Sequence, residues 1–390
     1  MKRILSLFTI TLLSTSLLHS TPLPTREGQG GGSQGGGSAS LLTRLHALLA
    51  RGYMFGHQDD PFYGTSWEWE RGRSDVLESC GDYPAVMGFD LGGIEVGDAK
   101  NLDSVPFTRI REELLAHVRR GGIVTVSWHP RNPLTGGTAW DVSDSTVVRS
   151  ILPGGTMHRK FLLWMKNVSA FLRSLKDDEG RAVPIIFRPL HENNGSWFWW
   201  GKRLCTAEEY KALWCTLQDH LLADGLDNLV WSWSPNLGIA SPAPNPSPLP
   251  REGQGVGLEA FDTYPGDDRV DLLGLDAYQW GTEQEFVTQL NADLTVLTAF
   301  AAERDKLLAL TECGLKNLPD PTWWTRVLKP QTDKYPISYF LVWRNAKHEF
   351  FAPVPGTQSA TYFREMIKSK NILMLKDIAP LPTSPEGEGH

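Results

Sequence analysis

Four cysteines in 390 residues (Cys80, Cys205, Cys215 and Cys313) are too few and too irregularly spaced for a zinc cluster or a disulfide framework. A fold of this length needs no bridge, although a Cys205–Cys215 pairing stays open at this level. The chain also lacks a basic stripe. Its 38 Lys and Arg are outnumbered by 45 Asp and Glu, for a formal net charge of −7, which argues against nucleic-acid binding. Several common chemistries have no foothold. No Gly-x-Gly-x-x-Gly follows a strand-like run, and the Gly-rich stretch at 28–37 precedes every strand. No Ser sits in a strand-to-helix nucleophile elbow. His191-Glu192 opens a His-Glu-x-x-His string, but position 195 is Gly, so a second zinc ligand is missing. Asp59-Asp60 and Asp267-Asp268 read as solvated loop acids, and no metal or cofactor is expected.

What the chain does have is tryptophan, 15 against 9 tyrosines, often beside Gly, Pro or His. Exposed indole faces suit the C–H faces of sugar rings, although a large core could equally absorb them. Lys2 and Arg3 followed by the mostly apolar Ile4–Leu18 and a small residue, Ser20, read as an export signal over 1–20. That run is too short and too broken for a membrane span. Export to the periplasm or outside the cell follows, with no membrane association after cleavage. Residues 21–40 read as a Gly/Ser/Pro linker. The string Pro22–Gly30 recurs at Pro248–Gly255 and more loosely at Pro380–Gly389. These copies suggest a disordered insertion at 240–258 and a flexible tail at 376–390.

Between these segments, short β-branched or apolar runs alternate with amphipathic stretches. The runs are Tyr53–Gly56, Ala85–Phe89, Ile123–Ser127, Pro184–Phe187, Leu229–Trp233, Leu272–Leu275, Leu307–Leu310 and Ile337–Val342. The stretches include Phe107–Arg119, Arg159–Leu175, Ala207–Leu222 and Glu283–Ala302. Eight such repeats predict a single (β/α)8 TIM barrel over 41–375, with a doubly wound open sheet as the alternative. Polar and aromatic residues gather at the end of each run: His57, Asp90, His129, Arg188 to Glu192, Asp276 to Tyr278, Glu312 and Trp343. In a barrel those ends converge on one face. Glu192 and Glu312 stand out, because strands four and seven lie across the mouth from each other. Cleavage of a glycosidic bond needs such a pair, one protonated and one ionised.

Arg188-Pro-Leu-His-Glu-Asn-Asn-Gly-Ser-Trp-Phe-Trp-Trp-Gly201 closely resembles the acid/base segment of glycoside hydrolase family 26, a clan A barrel family dominated by β-mannanases. Phe55–Gln58, Gly121–Pro130, Asn228–Asn236, Tyr264–Asp267, Val270–Tyr278 and Thr311–Gly314 agree in order, and the likeness covers roughly 41–370. The resemblance implies a retaining endo-β-1,4-mannanase with Glu192 as acid/base and Glu312 as nucleophile, their carboxyls about 5–5.5 Å apart. It implies that His129, Arg188, His191, Trp197, Asp276 and Tyr278 surround the reacting sugar, and that Trp140 and Trp343 are stacking walls. Of Trp197, Phe198, Trp199 and Trp200, one or two are expected to pack underneath. The sequence departs from the family at Thr263, where an aromatic is common. The implied partners are β-mannan or manno-oligosaccharides, acted on by a monomer. β-1,3-xylan or mixed-linkage β-glucan as substrate, or a non-catalytic glycan-binding barrel, are the alternatives.

Overall fold

The computed structural model describes residues 37–238 and 261–379. The export signal, nearly all of the linker, the insertion at 240–258 and the tail beyond 379 lie outside the described residues. In chain order the elements are α1 (Ser38–Leu49), β1 (Tyr53–Gln58), α2 (Asp75–Cys80), β2 (Val86–Asp90), α3 (Phe107–Arg119), β3 (Ile123–Trp128), α4 (Val147–Ile151) and α5 (His158–Arg173). There follow β4 (Ile185–Pro189), α6 (Ala207–Ala223), β5 (Leu229–Trp233), β6 (Leu272–Tyr278), α7 (Glu283–Glu303) and β7 (Leu307–Gly314). A π-helical turn at Trp324–Leu328 leads into α8 (Lys329–Thr332), then β8 (Ile337–Val342), α9 (Gln358–Met366), β9 (Ile372–Leu373) and α10 (Leu375–Ile378).

Strands β1 to β8 pair in parallel with their sequence neighbours, and the β1–β2 and β1–β8 pairings close the circle. This is the (β/α)8 barrel. Each strand is buried along nearly its whole length. That is why the runs read as continuous apolar segments rather than alternating ones. The helices are set by local signals. Thr206 and Glu209 cap α6, and Thr282 and Glu285 cap α7, each pair exchanging side-chain-to-backbone hydrogen bonds.

Side chains of each strand divide between two cores. Tyr53, Phe55, Ile185, Phe187, Leu229 and Trp231 face the helices. Their neighbours Met54, Ile186 and Val230 face the lumen, in a second cluster with Leu41, Leu45 and Leu48 of α1 and Leu375 and Ile378 of α10. Helix α1 therefore plugs the barrel floor. This corrects the linker boundary, since the helix starts at Ser38. It corrects the tail as well, since 376–378 belong to α10. The four cysteines carry free thiols, Cys205 and Cys215 included.

The same alternation aims polar residues up the lumen. Two steps beyond the lumen-facing Ile186 comes Arg188, and two beyond Gly274 comes Asp276. Strand β7 needs an extra device. Leu275 pairs with Leu310, but Asp276 pairs with Glu312. Thr311 is thus the extra residue of a bulge, a device that re-aims side chains at barrel rims. The bulge lets Thr311 and Glu312, adjacent in sequence, both reach the site.

Candidate active site

Glu192 stands on a turn that the backbone adopts at a cost. Leu190 and Glu192 both have left-handed φ, 52° each, a conformation worth about 1–3 kcal/mol of strain apiece. Buried groups hold it: Tyr210 OH donates to Leu190 O at 2.9 Å, Trp200 Nε1 to His191 O at 2.8 Å, and Glu192 N to Ser234 O at 2.8 Å. Phe198, Trp199 and Trp200 are all buried beneath the turn. Three aromatics of the Trp197–Trp200 run pack underneath, not one or two. Trp197 alone is exposed, at 40%. Its indole lies across Gly195, where a Cβ would meet the ring at 2.4 Å, and Trp197 Nε1 donates to Glu192 Oε2 at 2.6 Å.

One carboxylate oxygen from each of Glu192, Asp276 and Glu312 falls within 4.8 Å of the others. Arg188 sits among them. Its Nη1 donates to Asp276 Oδ2 at 2.8 Å, and its Nη2 donates to Glu312 Oε1. Tyr278 OH donates to Glu312 Oε2 at 2.7 Å, and Thr311 Oγ1 to Asp276 Oδ1 at 2.7 Å. Such a trio of acids could hold a cation, but the guanidinium already supplies the positive charge, so the donor set does not fit a metal.

Hydrogen bonding treats the three carboxyls unequally. Both oxygens of Asp276 and both of Glu312 accept from donors that stay protonated. Burial pushes the Tyr278 hydroxyl far up, and the Glu312 carboxylate adds to it. Glu192 accepts one side-chain bond, at Oε2. Burial first and the nearby Glu312 charge second push Glu192 up to about 7. Burial also pushes Asp276 well up, against the pull of Arg188. Of the two raised carboxyls, Glu192 is the one whose oxygens are not both taken by Arg188, Tyr278 or Thr311, which leaves it free to hand a proton to a substrate.

A second chain of contacts flanks the first. His129 Nδ1 meets Asp90 Oδ2 at 2.7 Å, and His129 Nε2 meets His191 Nε2 at 3.0 Å. Asp90 also accepts from Ser127 Oγ and Gly92 N, both at 2.7 Å. Burial disfavours charge on His129, but Asp90 outweighs it and raises the imidazole pKa. Burial, Arg188 and His129 push His191 far down. The two shifts run in opposite directions, so a charged His129 would donate through Nε2 to a neutral His191. Trp140, 48% exposed, stacks on His129 at 5.3 Å, and Trp343 meets His129 edge-on at 6.4 Å.

The fold brings together every residue singled out in the sequence: Glu192, Glu312, His129, Trp140, Arg188, His191, Trp197, Asp276, Tyr278 and Trp343. The sequence reading gave no role to Asp90, Ser234 or Thr311, whose partners lie on other strands. It gave none to Trp280, exposed beside Tyr278. Thr263 is buried and accepts a bond from Asn193. Asp59 and Asp60 prove to be buried, bonded to Tyr63 and His57, rather than solvated.

The described barrel coincides with known proteins. The profile of glycosyl hydrolase family 26 matches residues 37–371. A GH26 β-mannanase structure from Bacteroides ovatus is 44% identical, with a TM-score of 0.81, covering 90% of this chain and 98% of that one. A mannan endo-1,4-β-mannosidase of Bifidobacterium adolescentis is 30% identical over 343 residues, 80% of this chain and 32% of the relative. The chain thus spans about a third of that relative's length. A Bacillus subtilis protein of the same name is 29% identical over 334 residues, 83% of this chain and 81% of the relative.

Proposed function

The chain belongs to glycosyl hydrolase family 26, and from that premise we propose that it is an endo-acting β-1,4-mannanase working with retention of configuration, Glu192 as acid/base and Glu312 as nucleophile. One observation carries the mechanism: the Glu192 and Glu312 carboxylate oxygens approach within 4.8 Å. Retaining enzymes keep their carboxyls about 5–5.5 Å apart, whereas inverting ones need about 6.5–9.5 Å to admit a water. The names carried by the relatives support mannan as the substrate.

In the first half-reaction Glu192 gives its proton to the glycosidic oxygen as that bond breaks. A Glu312 oxygen forms an ester bond to the anomeric carbon. Arg188 and Tyr278 hold the Glu312 carboxylate in place, one on each oxygen. Esterification removes the Glu312 charge, so one of the two causes raising Glu192 disappears. The Glu192 carboxylate is then suited to take a proton from water. The water oxygen attacks the anomeric carbon as the ester bond to Glu312 breaks, which frees the Glu312 carboxylate. His129, beside Trp140 and Trp343, offers a polar ring and aromatic walls to the glycone.

The test is to incubate the protein and a Glu312→Ala variant with linear β-1,4-mannan, following reducing ends, product sizes and the anomer first released. Short β-anomeric manno-oligosaccharides from the parent alone support the reading. Products from β-1,3-xylan or mixed-linkage β-glucan instead would move the substrate within the family. Binding without cleavage of all three would favour a glycan-binding barrel. We propose further that residues 1–20 direct export, so the mature protein outside the cytoplasm should begin after Ser20 when its N-terminus is sequenced.

A further inference from the structure

Trp280 is exposed by 71%, more than any other large hydrophobic side chain among the described residues. A lone exposed indole on a remote surface would carry no message. This one adjoins the reacting centre. Its ring stacks on Tyr278 at 5.3 Å and 27°, and the Tyr278 hydroxyl is the donor to Glu312. Phe351 meets Trp280 edge-on at 6.4 Å and Tyr278 at 5.7 Å, bracing the pair from the loop after β8.

The backbone beneath the indole is pinned as well. Gln279 N donates to Gly314 O at 2.9 Å, just beyond Glu312, and buried Trp323 Nε1 donates to Gln279 Oε1 at 2.8 Å. The base of Trp280 is fixed while one face stays in water, which lowers the ordering cost of binding to that face. Trp140 plays the matching part on the other flank, through His129 after β3. Strands β3 and β6 lie three places apart around the barrel, so the two indoles are presented from different sides of the mouth.

We propose that Trp280 is the platform of a further sugar-binding subsite, stacking on a pyranose ring of the same β-linked chain one unit beyond the reacting centre. The inference rests on the glycanase reading. It predicts a dependence on substrate length, because only chains long enough to reach Trp280 gain from it.

The experiment compares kcat/KM on mannotriose and mannohexaose for the full chain and for Trp280→Ala and Trp280→Phe. The hexaose-to-triose ratio should fall about tenfold in Trp280→Ala and largely recover in Trp280→Phe. An unchanged ratio, including equal losses on both substrates, would overturn the proposal and leave Trp280 as a support for Tyr278. Calorimetric titration of mannohexaose into Glu312→Ala, with and without Trp280→Ala, gives a readout independent of turnover. Weaker binding in the double variant supports the subsite, and equal binding sinks it. If the parent cleaves another β-glycan instead, the mannanase reading fails while the same ratio, taken with that glycan's oligomers, still decides on Trp280. Absence of binding to all of them would overturn both.

Discussion

Trp197 donates its indole N–H to Glu192, five residues earlier, across a glycine that leaves the ring room to lie flat. The bond favours the Glu192 anion, opposing the burial that favours the acid. Trp197→Phe keeps the ring and removes the donor. The basic limb of its kcat/KM profile should move to higher pH than in the parent. A limb that stays in place would mean that the bond does not act on the free protein's acid.

In the parent that limb should lie near pH 7. In the proposed mechanism Glu192 acts as an acid only while protonated, so a pKa of about 7 predicts that activity falls as pH rises through neutrality. A kcat/KM profile still flat at pH 9 would contradict it.

Glu192→Ala should lower kcat/KM on mannan by about 10²- to 10⁴-fold, the usual worth of a positioned acid. The first half-reaction of an aryl mannoside with a dinitrophenolate leaving group, which needs no proton, should be far less affected. A burst of phenolate under stopped flow measures this. Equal loss on both substrates would argue against the acid role.

Asp90→Asn removes the carboxylate that raises the His129 pKa. The far-downfield proton resonance expected for the His129 Nδ1–H facing Asp90 should vanish from the NMR spectrum. Loss of kcat/KM should be about ten- to a hundredfold, as for other buried hydrogen bonds to charged groups. If the resonance persists, His129 is held by something other than Asp90.

Leu45→Ala tests the floor of the barrel. Leu45 is fully buried in the lumen cluster, so truncation should cost about 2–5 kcal/mol in denaturant unfolding. A cost near zero would return this segment to the linker.

Much of this was legible in the chain. Strand runs such as Leu229–Trp233 and Ile337–Val342 end where the structure ends them, because strands buried on both faces have sharp apolar boundaries. The stretches Ala207–Leu222 and Glu283–Ala302 begin where α6 and α7 begin, each just after a Thr that caps its helix from close by in sequence. The two glutamates stood out because their strand-end setting and flanking motif are also local, and the fold brings them together. What escaped the sequence were relations between distant segments. The Thr311 bulge exists only in the register of β7 against β6. Asp90 has meaning only once β2 lies beside β3 and His129. Ser38-Ala-Ser40 continues the small-residue composition of the linker, and only packing of Leu41, Leu45 and Leu48 beneath the lumen makes it a helix.

Helices α1 and α10 meet at that floor, where Arg44 Nη2 donates to Ile378 O at 3.0 Å. Both described ends of the chain therefore leave the barrel on the side away from the carboxylates. A tag, a carrier domain or a solid support joined at either end would leave the cleft facing outward, which makes this barrel suited to display on a surface with its mouth toward an insoluble polymer.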